Sequence, residues 1–271
     1  MAKKSLGQNF LVDVRVVSRI IGEFAPGADE TVVEIGPGRG ALTGRLLEEA
    51  GRVVAVEFDR DLIPVLAERF GGRENFRLVH GDALAADFCE LILPARAARV
   101  VANLPYNIST AILQRLIEQR RCLTEFVLML QREVVERMTA PAGSSERGYL
   151  SVLVEATCEA EPLFDVSPSA FRPVPKVRST VVRLRPRELA AGDVRSEPLF
   201  WQLVGAGFAQ KRKTIFNNLR AAPARLRAAV ESSGGAQKLL EVAGVNPSRR
   251  AESLTLEEWV RLAQSLRAGG P

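Results

Sequence analysis

Four consecutive residues, Asn103, Leu104, Pro105 and Tyr106, close an apolar run that ends at Ala102. The run reads as a buried strand, and "NLPY" is a poor continuation of one: Pro has no backbone donor and Asn is a weak strand former. At the end of a strand the same residues suit one chemistry, methyl transfer to an exocyclic amine of a base. That nitrogen is a poor nucleophile, because its lone pair is delocalised into the ring. Two acceptors on its hydrogens, the Asn103 side-chain oxygen and the Leu104 carbonyl, would hold it and favour a more tetrahedral geometry. Pro105 fixes the chain direction, and Tyr106 offers an aromatic face to an extruded base. A sulfonium methyl donor completes an in-line displacement, with no metal and no strong base acting before transfer. The competing structural reading is a strand that ends in a proline turn with a core tyrosine.

Three other segments point to a bound nucleotide. "EIGPGRGALT" (34–43) follows an apolar run and opens a helical pattern. Gly36, Gly38 and Gly40 let the backbone approach a ligand, and a helix N-terminus offers free N–H groups. Gly36, Gly38 and Ala41 also satisfy the dinucleotide fingerprint, so this loop alone fits a nicotinamide cofactor as well as S-adenosylmethionine. Glu57 closes the second apolar run, where a carboxylate can hold two ribose hydroxyls in either kind of site. Asp82, in "HGDAL" (80–84), follows the third run and can accept from an adenine amino group, with the Ala83 backbone beside it. A lone Asp there equally suits a helix cap.

These residues need a scaffold. "TVVEIG" (31–36), "RVVAVEF" (52–58), "FRLVHG" (76–81), "RVVAN" (99–103) and "EFVLML" (125–130) read as strands. Helical patterns at 40–51, 60–71 and 109–120 lie between them. This alternation predicts an α/β fold: a Rossmann-like parallel sheet with helices on both faces. Residues 139–149, rich in Pro, Gly and Ser, read as a mobile surface loop. "YLSVLVEATCEA" fits helix or strand. Two strands flank a Pro-rich turn within 162–186, and the pattern beyond Pro186 is helical, with Ser253 and Thr255 as caps and Gly234 and Gly244 as stops. The expected organisation is a catalytic domain, 1–187, and a small all-α domain, 188–271.

The combination of "QNFL" (8–11), "EIGPGRGALT", Glu57, "GDAL", "NLPYNIST" and "FRPVPKVRST" (171–180) resembles the rRNA adenine N6-methyltransferase family. The similarity is strongest to its small-subunit branch. These motifs span residues 3 to 180, and "GFAQKRKTIFNNL" and "GVNPSRRAESLTLEEWVRLA" extend the resemblance through the tail. It implies a S-adenosylmethionine-dependent methyltransferase fold and dimethylation of two adjacent adenines near the 3′ end of 16S rRNA in the small ribosomal subunit. The cofactor would be S-adenosyl-L-methionine, leaving S-adenosyl-L-homocysteine. The resemblance implies that Gln8, Asn9, Leu11, Gly36, Gly38, Glu57, Asp82, Ala83 and Asn103 bind the cofactor. Asn103, Leu104, Pro105 and Tyr106 would act on the target amine, with Phe171 and Tyr106 sandwiching the adenine. The nearest rival is the large-subunit branch of the same superfamily. A DNA adenine methyltransferase lacks a separate recognition domain here, and a nicotinamide oxidoreductase leaves "NLPY" and "FRPVP" without a role.

Charge fits either a polyanionic partner or a solvated helical face with spare arginines. The chain of 271 residues carries a net +5. Residues 1–185 hold 24 Lys/Arg and 24 Asp/Glu, so the whole excess falls in the last third. Candidate RNA contacts are Arg115, Arg147, Arg172, Lys176, Lys211, Arg212, Lys213, Arg249 and Arg250; "QKRK" (210–213) suggests a helix face toward RNA. His80 stands alone and Cys89, Cys122 and Cys158 lack metal-ligand spacing, so the expectation is reduced thiols and no metal. No membrane span or leader pattern is present, which predicts a cytoplasmic protein, and nothing suggests more than a monomer.

Overall fold

The computed structural model describes residues 7–268; positions 3–6 of the motif span lie outside them. The strands are β1 (Phe10–Leu11), β2 (Thr31–Ile35), β3 (Arg52–Glu57), β4 (Phe76–His80), β5 (Ala98–Asn103), β6 (Leu123–Gln131), β7 (Cys158–Val166), β8 (Phe171–Arg172) and β9 (Ser179–Pro186). Seven of them form one sheet in the order β4-β3-β2-β5-β6-β9-β7. Strands β2 to β6 pair in parallel, and β9 runs antiparallel to β6. Valine fills the middle: Val32, Val33, Val53, Val54, Val100 and Val101 are all fully buried. Near-continuous β-branched runs are what a parallel sheet covered on both faces requires.

The sheet's order sets the position of the site. Chain order runs from β2 outward through β3 to β4, then returns to β5 on the other side of β2. The carboxyl ends of β2 and β5 therefore diverge at a topological switch point, where open α/β sheets leave a crevice. A separate ribbon pairs β1 with β8, Phe10 opposite Arg172 and Leu11 opposite Phe171. At the amino end of the sheet, Glu125 binds three arginines: Arg99 at 2.6 Å, Arg185 at 3.0 Å and Arg183 at 3.6 Å.

Two compact units make up the chain, and their division differs from the expected 187/188 boundary. Of the described residues, the first holds 7–135 and Glu159–Pro186; the second holds Glu136–Cys158 and 187–268. The helix Tyr149–Thr157 buries Leu150 through Val154 as well as Ala156 and Thr157. A helix apolar nearly all round cannot remain at a surface, and Val152 joins a core with Phe200, Leu203 and Trp259. The preceding loop is pinned rather than free: the Arg147 guanidinium donates to the Ala140 carbonyl and to Glu155, and the Gly143 N–H donates to the Glu252 carbonyl. In the same unit, Thr255 and Glu258 form a reciprocal cap on the last helix, Leu256–Ala268.

The expectation of three reduced thiols is overturned. Cys89 and Cys122 form a disulfide across 33 residues, and buried Cys158 remains free. Cys89 lies in the short helix after β4 and Cys122 just before β6. The fold brings together positions that sequence spacing keeps apart. Among the described residues, no helix is long and apolar enough to cross a membrane.

Candidate active site

A cavity of about 260 Å³ opens at the carboxyl ends of β2 to β5. Gly36, Glu57, Asp82 and Asn103, one from the end of each strand, line it together. The three loop glycines have different jobs. Gly36 takes φ +64°, its N–H donates to the Val56 carbonyl, and a Cβ there would meet nothing within 4 Å. That open space is the cradle a ligand's chain needs. Gly38 sends its N–H to Glu57 Oε2 at 3.0 Å. Gly40 serves packing, since a Cβ there would collide with the Phe70 ring.

Glu57 is held by two backbone donors, Gly38 N–H and Asp59 N–H, the latter 2.8 Å from Oε1. Burial is the main cause that raises its pKa, against the lowering effect of those bonds. Each carboxylate oxygen keeps a lone pair for a hydroxyl donor. Asp82 accepts the Leu84 N–H at 2.9 Å, which orients its carboxylate beside Ala83. Apolar surface comes from Ile35, Val56, Phe58 and Leu62. A fixed acid for vicinal hydroxyls, a second for a base edge and apolar walls between them fit the donor set of an adenosine cofactor.

The N-terminal segment covers this crevice. Gln8 Nε2 donates to Asp59 Oδ2 at 2.8 Å, and Gln8, Asn9 and Phe10 line the cavity. Asn103 Nδ2 donates to the Asn9 carbonyl at 3.1 Å. That bond spends the amide's donor end on the backbone and leaves the Oδ1 end to accept from a ligand. The Leu104 N–H donates to Met129, and its side chain is buried. The Tyr106 hydroxyl and Ser179 Oγ lie 2.7 Å apart, which fixes the ring at the cavity wall; burial raises the Tyr106 pKa.

Several expectations need correction. Leu11 and Phe171 do not line the cavity: they face each other in the β1–β8 ribbon and enter the core, where Phe171 is 0% exposed. Side chains alternate along a strand, so the Phe10 side chain lines the cavity while the Leu11 side chain enters the core. Arg147 is 2% exposed, too deep for RNA. Arg115 donates to the Ala86 carbonyl and pairs with Glu118; Arg249 is held by Glu258 and the Ser253 carbonyl. Both side chains are tied within the fold and keep about a third of their surface exposed, 31% and 32%. Residues 210–213 form a turn, not a helix face, because the helix begins only at Ile215 behind its Thr214 cap. Arg172, Lys176, Lys211, Arg212, Lys213 and Arg250 are exposed.

Sequence reasoning missed Phe10 and Phe58, which line the cavity. Phe58 lines the cavity while 57% exposed. Its signal was available: a large aromatic side chain just past a strand's carboxyl end. Glu34, outside the cavity lining, is a charged residue type in β2 among Val32, Val33 and Ile35.

The sheet order and the crevice at its switch point define a Rossmann-like methyltransferase. The model for the family ribosomal RNA adenine dimethylase matches residues 1–267, and the chain belongs to that family. Ribosomal RNA small subunit methyltransferase A of Pseudomonas putida is 42% identical over 265 residues, covering 98% of this chain and 95% of that protein. The protein of the same name from Xanthomonas campestris pv. campestris is 42% identical over 264 residues, covering 97% and 95%. Among solved structures, a dimethyladenosine transferase from Plasmodium falciparum superposes with a TM-score of 0.76 at 25% identity, covering 96% of this chain and 98% of that one. The 23S rRNA methyltransferase ErmE gives 0.68 at 28% identity, covering 96% and 100%.

Proposed function

We propose that this enzyme dimethylates the N6 amino groups of two adjacent adenines near the 3′ end of 16S rRNA, in the small ribosomal subunit or its precursor, with S-adenosylmethionine as methyl donor. The orientation of Asn103 carries the reading. With Nδ2 donating to Asn9, Oδ1 can accept one hydrogen of the target amine, and the Leu104 carbonyl the other. Together they draw the nitrogen's lone pair out of conjugation and hold it in line for attack. Tyr106, fixed by Ser179, presents its face to the flipped base. Gly36 and Asn9 would border the methionine part, Glu57 would hold the ribose, and Asp82 with Ala83 the adenine. When bound, the cofactor supplies an electrophilic sulfonium methyl. Methylation acidifies the amine, so its proton leaves to solvent without a dedicated strong base.

The names of these relatives, with "NLPYNIST" and the "KRKTIFNN" tail in the sequence, support the small subunit over the large as substrate. Exposed Arg172 in β8 and Lys176 after it, and Lys211, Arg212, Lys213 and Arg250 in the second unit, would meet RNA phosphates. The enzyme would act as a cytoplasmic monomer. Mass mapping of methylated adenines after reaction with undermethylated small or large subunits tests the assignment: dimethyladenosine at two adjacent small-subunit positions is expected, and modification of the large subunit alone would refute it. Asn103→Ala should lower the methylation rate by roughly 10²–10³-fold, the usual effect of losing one transition-state hydrogen bond; a wild-type rate would remove Asn103 from the mechanism.

A further inference from the structure

Glu34 is a carboxyl placed where the sheet offers no water. It stands in β2 between Ala55 of β3 and Val101 of β5, and it is 2% exposed. The Thr43 hydroxyl donates to its Oε2 at 2.6 Å. Thr43 is itself 0% exposed and is the first residue of the helix Thr43–Glu49. One side-chain bond therefore spans the whole glycine loop, from the penultimate residue of β2 to the start of the helix. Inside that span lie Gly36, which faces the cavity, and Gly38, whose N–H holds Glu57.

We propose that Glu34 is a positioning residue for the cofactor: through Thr43 it closes the loop 36–42 in the shape that presents Gly36 to the cavity and Gly38 N–H to Glu57. The inference rests on the reading that this cavity takes S-adenosylmethionine. Glu34 does this with its proton on. Burial lifts its pKa to about 8, the Thr43 bonds oppose that, and the Glu57 carboxylate on β3 adds to the rise. The groups that face it are the Thr43 hydroxyl and backbone N–H from the helix side, Glu57 from β3, and apolar Val101 from β5. At neutral pH the carboxyl is thus uncharged and fits a dry strand. Above about pH 8 it ionises next to a second carboxylate, and the loop must open to hydrate it.

Calorimetric binding of S-adenosylhomocysteine, measured from pH 6.5 to 9.5, tests this without turnover. Glu34→Gln keeps the neutral shape at every pH. It should match the wild type at pH 7 and hold its affinity at pH 9.5, while the wild type falls behind it by up to about tenfold per pH unit above 8. Titration of the ligand's own amino group is common to both proteins, so the difference reads Glu34. Glu34→Ala, confirmed folded by circular dichroism, should bind at least about tenfold more weakly at pH 7. Parallel pH profiles for the wild type and Glu34→Gln, or full affinity in Glu34→Ala, would overturn the proposal while leaving the cofactor reading intact. A wild-type chain that does not bind S-adenosylhomocysteine at any pH would overturn both.

Discussion

Two residues of the substrate motifs show how differently chemistry and packing announce themselves. Asn103 is anomalous where it stands, a polar side chain at the end of an apolar strand, and the structure uses its amide as a fixed hydrogen-bonding group. Phe171 is ordinary in type, and only the surrounding "FRPVP" singles it out. In the structure it is a core residue opposite Leu11, with no exposed surface. The two roles give different mutants. Phe171→Ala removes a buried ring and should destabilise the first unit by about 3–5 kcal/mol in urea unfolding. Phe171→Leu keeps most of the apolar volume, so a packing role predicts methylation within a few-fold of wild type. A folded Phe171→Leu variant with a hundredfold loss of rate would mean that the ring meets the base during turnover.

At the scale of elements, the strands were legible because a buried parallel strand is a run of β-branched residues that little else resembles. "TVVEIG" and "RVVAVEF" became β2 and β3, and the residues at their ends became the cavity wall. Shorter elements were not legible. The two-residue strand β8 has no periodicity of its own and exists through its pairing with β1. The helix Tyr149–Thr157 is apolar on most sides, so its pattern matched helix and strand equally, and nothing local showed that it belongs with the C-terminal helices. The disulfide is invisible for the same reason, since it depends on the β4-to-β5 crossover passing beside the turn that enters β6, the strand next to β5 in the sheet. It joins the short helix beyond Asp82 to the turn beyond the helix Ser109–Glu118, near the side chain of Gln119, which already bonds both the Phe88 N–H and the Ala86 carbonyl. Thiol titration of the oxidised protein in denaturant should find one reactive group, Cys158, rather than three. Reduction should cost about 3–4 kcal/mol of stability on loop-closure grounds, read as a lower urea midpoint; three titratable thiols before reduction would remove the bond from the native protein.

For the whole molecule, counting charge is a weaker guide than asking what each charge is doing. Residues 1–185 sum to zero, yet some of their arginines are internal: Arg99 and Arg183 converge on Glu125, and Arg147 is buried against Glu155. Those charges are spent within the fold and contribute little to a long-range field. The last third differs, because Lys211, Arg212 and Lys213 are exposed side by side on the turn before Thr214, and Arg250 is exposed as well. A turn presents its side chains outward without a helix's geometric register, so these residues suit contact with a phosphate backbone better than readout of bases. Their effect should then be one of salt. Small-subunit binding by the wild type should weaken steeply as salt rises, and replacing Lys211, Arg212 and Lys213 together with glutamine should flatten the log–log slope by roughly 2–3, at about 0.7–0.9 per phosphate contact. Affinity for S-adenosylhomocysteine, whose proposed site lies wholly in the first unit, should not change in the same variant. An unaltered salt slope would place the RNA contacts elsewhere, on the first unit's exposed Arg172 and Lys176, and the same experiment on glutamine variants of that pair would then locate them.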